Sequence, residues 1–224
     1  MAEESLSKTA LEVQESFINS LKIDKRKTIQ PLVVALVGLV GSGKSSVAQK
    51  LAPLIGATVI GGDRIRVELR KRGEPYKHQV RAITEASARF VIKNGGSVII
   101  DSDHADSNKR ENIQEKVEQV GARLIFVRIY SDIDLAIGRI INNNNKLGEF
   151  FEGASSKESG DYKPAVIKIK EMWRRTPVHY EWNTEKGGAW ILKKLPIEFT
   201  ADIDTSTIEW EKMVEDLSRT LLDF

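Results

Sequence analysis

One stretch near the start of the chain carries a recognisable chemistry. Gly38-Leu39-Val40-Gly41-Ser42-Gly43-Lys44-Ser45 fits the pattern G-x-x-x-x-G-K-[ST]. The glycines let the backbone curl until successive N–H groups converge on phosphate oxygens, and a helix starting at Lys44 adds its positive end to the same point. Lys44 supplies a mobile charge for the outer phosphates, and the Ser45 hydroxyl is a hard oxygen suited to Mg2+. Gly38, Gly41, Ser42, Gly43, Lys44, Ser45 and the following Ser46 are therefore expected to hold a nucleoside triphosphate. With Gly near 7% of residues, chance gives such a match in roughly one chain in a hundred of this length. A second fingerprint starts in the same place, since Gly41-Ser42-Gly43 opens G-x-G-x-x-G and Asp63 follows where a dinucleotide fold puts its ribose carboxylate. Its sixth position is Ser46, which is neither Gly nor Ala, and the lysine and hydroxyl suit a phosphate chain with a metal.

Other residues could complete a site. Asp101 follows Val98-Ile99-Ile100 and reads as a strand-end carboxylate that shares Mg2+ with Ser45; the alternative is a turn or helix cap. Asp103 and His104 come next and are within reach of a substrate. Asp63, after Thr58-Val59-Ile60-Gly61-Gly62, lies at a strand end too, though by local pattern alone it caps a helix. Arg110, Arg139, Lys146, Arg174 and Arg175 are the cations available to neutralise a moving phosphoryl group. His78 and His179 have no carboxylate or histidine at metal spacing and read as ordinary surface or core residues. The four tryptophans read as packing, with Trp173 beside Arg174 also placed to stack a base.

The elements that must position these groups alternate. Apolar runs at Leu32 to Val37, Thr58 to Ile60, Val98 to Ile100, Leu124 to Ile129 and Phe199 to Ile203 predict strands. Helical patterns fall at Lys44 to Leu54, Arg64 to Arg72, Val80 to Lys93, Lys109 to Val120, Asp132 to Ile141 and Ile208 to Leu222. That alternation predicts an α/β fold, an open doubly wound parallel sheet of about five strands with helices on both faces and ligands at the carboxyl ends of the strands. Between Asn142 and Leu195 the alternation breaks for a Gly/Ser-rich stretch, Gly148 to Gly160, and a helix from Pro164 to about Trp182. An insertion there is expected to be a lid. Residues 1–30 form an amphipathic helix and linker, with Leu6, Ala10, Val13, Phe17 and Leu21 on one stripe, and 31–224 the main domain. That stripe is expected to pack on its own domain; a dimerisation or docking arm is the other reading.

Composition narrows the class. The chain has 224 residues, 41% hydrophobic and 29% charged, enough apolar material for one sizeable core. Its formal charge of +2 supplies no global field for a polyanion, so phosphate or nucleic-acid binding must be local. With no cysteine, disulfides, thiol nucleophiles and cysteine metal sites are excluded. The longest apolar run, Leu32 to Val40, is too short for a membrane span, and the acidic start Met1-Ala2-Glu3-Glu4 does not read as a secretory signal. A soluble, cytoplasmic protein with no membrane partner is the expectation.

The phosphate loop, the stretch Thr58 to Arg66 and Val98-Ile99-Ile100-Asp101 together resemble the small P-loop kinases, nearest to the subgroup of polynucleotide 5′-hydroxyl kinases and zeta-toxin-like sugar-nucleotide kinases. The resemblance extends from Leu32 to about Ile141. It implies that Asp63 contacts the acceptor hydroxyl as positioner or base and that Arg66, completing D-x-x-R, binds an acceptor phosphate. It also implies that Arg139 is a lid arginine over the triphosphate, and that Arg110 matches an arginine in the helix after the third strand. Lys44, Asp63, Arg66 and Arg139 are then the expected catalytic set, with Asp103, Arg110, Arg174 and Arg175 toward the acceptor. The activity implied is ATP-dependent transfer of the γ-phosphate to a hydroxyl on a small molecule, a nucleotide or a polynucleotide end. The competing class is a nucleotide switch or ATPase with no acceptor. Guanine switches carry N-K-x-D, whereas Asn145-Lys146-Leu147-Gly148 ends in Gly, so adenine is preferred.

Overall fold

A computed structural model describes residues 6–74, 79–143, 164–185 and 187–224. Five parallel strands form the main sheet: β1 (Leu32–Val37), β2 (Ala57–Gly61), β3 (Ser97–Asp101), β4 (Arg123–Tyr130) and, after a small hairpin, β7 (Ala201–Asp204). They lie in the order β2-β3-β1-β4-β7. β1 is central and buried along its whole length. Leu32, Val34 and Leu36 face one layer, while Val33 and Ala35 face the other.

The first layer holds α2 (Lys44–Ile55) and α8 (Trp210–Leu222), whose Val47, Leu51, Ile55, Val214, Leu217 and Leu221 are buried together. The second holds α1 (Lys8–Asn19), α3 (Gly62–Lys71), α4 (Gln79–Lys93) and α5 (Ser107–Glu118). The chain moves outward from β1 to β2 through α2 and returns to β3 through α3 and α4. Right-handed crossovers therefore require opposite faces for the two legs. All the loops that follow strands then open on one edge of the sheet.

The helix α6 (Ile133–Asn143) and the arm α7 (Pro164–His179) stack on each other beside that edge, sharing Ile133, Ala136, Ile140, Met172 and Tyr180 with Leu39 of the phosphate loop. α7 ends at His179, short of the expected Trp182. Tyr180 instead opens an antiparallel hairpin, β5 (Tyr180–Asn183) with β6 (Ala189–Leu192), which the sequence reading missed. Trp182 faces Trp190 across it with ring centroids 5.2 Å apart, and Gly187 and Gly188 sit at positive φ in the connection. The last sheet strand begins later than expected, because Phe199 lies under the Arg128 guanidinium, 4.8 Å from ring centre to Cζ, rather than in the ladder. The Gly/Ser-rich stretch of the expected lid, with Lys146, lies outside the described residues, as does His78. Among the described residues no helix is long and apolar enough to cross a membrane.

On α1, Ser7 caps the first turn by accepting from Ala10 N–H at 3.0 Å. Ala10, Val13 and Phe17 are buried with Ile65, Leu69, Ile83 and Val91 of α3 and α4. Phe17→Ala is therefore expected to cost about 3 kcal/mol, read as a lowered urea midpoint with unchanged elution volume on gel filtration. A change in oligomeric state with unchanged stability would point instead to a docking arm.

Candidate active site

The phosphate loop connects β1 to α2, and its glycines stand where side chains cannot. A Cβ on Gly38 would lie 2.2 Å from the carbonyl oxygen of Ile129 on β4. A Cβ on Gly41, which sits at φ +84°, would lie 2.7 Å from Ala136 O on α6. Lys44 folds back over the loop, its Nζ donating to Gly38 O at 2.9 Å and Leu39 O at 2.8 Å. Desolvation pulls its ammonium below the ordinary lysine range, and the charges of Asp103 and Asp101 oppose that shift.

Gly38, Gly41, Gly43, Lys44, Ser45 and Ser46 line one cleft of about 1,320 Å3. Ser42 does not. Its side chain is buried behind the loop, its N–H donates to Leu39 O at 3.1 Å, and its carbonyl accepts from Thr205 Oγ1 at 2.8 Å. Ser42, expected among the ATP-holding residues, is thus held from behind by Leu39 and Thr205.

Across the cleft floor, Ser45 Oγ donates to Asp101 Oδ2 at 2.6 Å, joining the end of β3 to the start of α2. This pair of hard oxygens suits Mg2+, which takes one or two protein oxygens and completes its shell with water and phosphate. Among the described residues no group of three or more His, Cys, Asp or Glu could hold a metal by itself. On the other side, α3 starts at Gly62 and so places Asp63 in its first turn. Asp63 is ion-paired with Arg66, one turn on, and Lys168 of α7 lies 3.9 Å from its other oxygen. Lys168 was not singled out by sequence, because nothing local marks a lysine whose partner is more than a hundred residues away.

Asp103 is engaged by the protein on both oxygens. Oδ1 accepts from the N–H groups of Gly38 and Ala105, each at 3.2 Å, and Oδ2 accepts from Arg175 Nη2 at 2.6 Å and His179 Nε2 at 3.1 Å. Burial works against its ionisation, but the hydrogen bonds from His179 and Arg175 and the charge of Lys44 hold it far below the usual carboxylate range. Asp103, expected to lie toward the acceptor, lines the cleft with both oxygens already accepting from the protein. Arg175 is likewise shared between Asp103 and Asp106, the latter at 3.1 Å. His179, read from sequence as an ordinary residue, is 3% exposed and sits on that carboxylate.

Arg139 lines the cleft, anchored to Thr205 O at 2.6 Å, Thr205 Oγ1 at 2.8 Å and Gly41 O at 3.3 Å. Arg174 also lines it, without an ion pair among the described residues. Arg110 was expected toward the acceptor. It turns back onto the carbonyls of Ala105 and His104, and its side of α5 borders a separate surface hollow. Of the tryptophans, Trp210 reaches the cleft; Trp173, Trp182 and Trp190 form an exposed cluster.

A family model described as an AAA domain matches residues 33–148, which include the loop, Asp63 and Asp101. The chain belongs to the AAA-domain family. No curated protein matches it. Among solved structures this AAA domain is similar to a candidate kinase from Chloroflexus aurantiacus j-10-fl, at 18% identity and a TM-score of 0.59, covering 86% of this chain and 98% of the other. It is also similar to a gluconokinase from Sinorhizobium meliloti 1021, at 16% identity and a TM-score of 0.50, covering 85% and 94%. Its sheet and flanking helices are those of the P-loop kinase fold.

His104 gives this AAA domain a pH signature. Its Nδ1 faces two carbonyls, Leu36 O at 2.9 Å and Ser102 O at 3.0 Å, so that nitrogen carries the proton of the neutral ring. Burial lowers its pKa from 6.5. Folding therefore disfavours the charged form, and the associated stability is complete above 6.5 and declines as pH falls below it. Between about pH 7 and pH 5 the urea midpoint of wild type should drop more steeply than that of His104→Asn, which keeps a donor for the carbonyls.

Proposed function

We propose that the protein is an Mg2+- and ATP-dependent kinase that moves the γ-phosphate to a hydroxyl. The observation that carries this reading is one cleft holding both the phosphate loop with its Ser45–Asp101 pair and the carboxylate of Asp63. The P-loop kinase fold and the gluconokinase among its structural relatives support it. The acceptor class stays broad: a small molecule, a nucleotide or a polynucleotide end. The D-x-x-R formed by Asp63 and Arg66 supports kinship with the polynucleotide kinase and zeta-toxin-like subgroup.

In this reading the loop N–H groups and the start of α2 bind the triphosphate, and Lys44 neutralises charge on the transferring group. Arg139, fixed across Gly41 and Thr205, flanks the donor from α6. Mg2+ held by Ser45 and Asp101 would supply charge neutralisation between the phosphates. Asp63 orients the acceptor hydroxyl and takes its proton as the new O–P bond forms. The bond from the γ-phosphorus to the β,γ-bridging oxygen breaks, and ADP leaves. Positioning and charge do most of the work, because the transition state demands little covalent participation from the protein.

The test is a labelled-ATP transfer screen across polynucleotide ends, nucleosides, sugar nucleotides and small metabolites; label released only as inorganic phosphate would identify an ATPase. Lys44→Ala should slow transfer by a hundredfold or more, about 3 kcal/mol. Transfer within threefold of wild type would overturn the assignment of the loop. Asp63→Asn should reduce transfer by roughly 10² to 10⁴ while leaving ATP affinity and melting temperature near wild type. A capping aspartate would tolerate the same change, since Asn caps about as well.

A further inference from the structure

The helix α7 runs along the mouth of the cleft and touches both of its ends. Near its start Lys168 lies beside Asp63, the carboxylate on the acceptor side. At its end Arg175 and His179 grip Asp103, whose other oxygen holds the N–H of Gly38, the first residue of the phosphate loop. From Lys168 to His179 the helix rises about 16 Å, so one helix, with Pro177 in its last turn, spans both halves of the site. A second contact ties it to the loop: Leu39 is buried with Met172 and Tyr180. The end of α7 is itself pinned, because Lys193 N–H donates to His179 O at 2.8 Å and Tyr180 hydroxyl to Ser131 O at 2.7 Å.

We propose that Asp103 and His179 are positioning residues that couple nucleotide occupancy of the phosphate loop to the seating of α7, and through Lys168 to the acceptor side. The proposal rests on the nucleotide-binding reading of the loop. A triphosphate fixes the loop peptides; the Gly38 peptide is bonded to Asp103, and Asp103 to two side chains of α7. Any free energy that orders one end therefore favours the ordered arrangement of the other, and the coupling is reciprocal. The carboxylate suits this role because it accepts from the loop on one oxygen and from the arm on the other. A neutral amide can serve only one of the two.

Hydrogen exchange of the full chain, with and without a non-hydrolysable ATP analogue and Mg2+, tests it, with analogue binding measured separately by titration. In wild type the analogue should slow exchange in the loop and, by about fivefold or more, in α7. In His179→Ala the loop should still be protected and the α7 response lost, while His179→Gln, which restores a donor to Asp103, should recover it. Asp103→Asn guards against misfolding of the first variant: its remaining oxygen can serve Gly38, its amide cannot accept from Arg175, and the α7 response should again vanish. A purely structural role would lower the melting temperature and leave the analogue-dependent difference intact. An unchanged α7 response in His179→Ala, or analogue binding without any α7 response in wild type, would overturn the coupling. Absence of analogue binding would overturn the nucleotide reading and the coupling together. Coupling observed while every acceptor fails in the transfer screen would leave the coupling standing and remove the kinase assignment.

Discussion

No side chain can stand at position 38. β1 ends there between two neighbours, and the carbonyl of Ile129 on β4 occupies the space where a Cβ would go. The strand must therefore leave the sheet through a glycine, turn at once, and deliver Lys44 to the start of α2. The rest of the loop hangs from that turn. The Gly38 N–H goes to Asp103, the Gly38 carbonyl receives Lys44, and Leu39 drops into the α6–α7 cluster. The site is thus less a collection of side chains than a consequence of how three parallel strands finish together.

Charge is distributed by the same geometry. Asp101, Asp103 and Asp63 stand at or just beyond the ends of β3 and β2, and none faces the cleft without a protein partner. Ser45 and Asp101 form a small neutral-to-anionic bridge, Asp103 an anion sealed by four donors, two backbone N–H groups and two side chains of the arm, and Asp63 an anion paired with cations from two helices. These differing surroundings allow three aspartates within one cleft to hold different tasks.

Much of this was legible in the chain. Runs of β-branched residues buried on both sides of a sheet stay unbroken, so β1 was readable to the residue, and the fold class followed from alternation. The loop was readable because its tight turn constrains consecutive residues. The failures share one cause, which is distance along the chain. Lys168 against Asp63 and His179 against Asp103 join residues brought together only by the fold, and no local pattern announces either. Arg110 illustrates a shorter-range version of the same limit: the carbonyls ending the preceding loop hold its guanidinium, which no helical pattern announces. The hairpin escaped because a strand of four residues, half exposed, carries little periodic signal beside the long apolar runs.

The central place of β1 has a consequence for how the molecule comes to exist. Its partners are remote: Val33 pairs with Val98 and Val34 with Ile125, and the bond from Gly38 to Asp103 closes a separation of 65 residues. A hairpin can form alone, but this strand acquires its ladders only after long segments on both sides have found it. Such high contact order slows folding and leaves an apolar strand unprotected meanwhile. The curled loop, needing β4 beside Gly38 and α6 beside Gly41, has no shape until late. A newly made chain would consequently gain the surface proposed to bind nucleotide near the end of assembly. Nucleotide would then act as a trap for finished molecules, adding stability only to those that have completed the sheet.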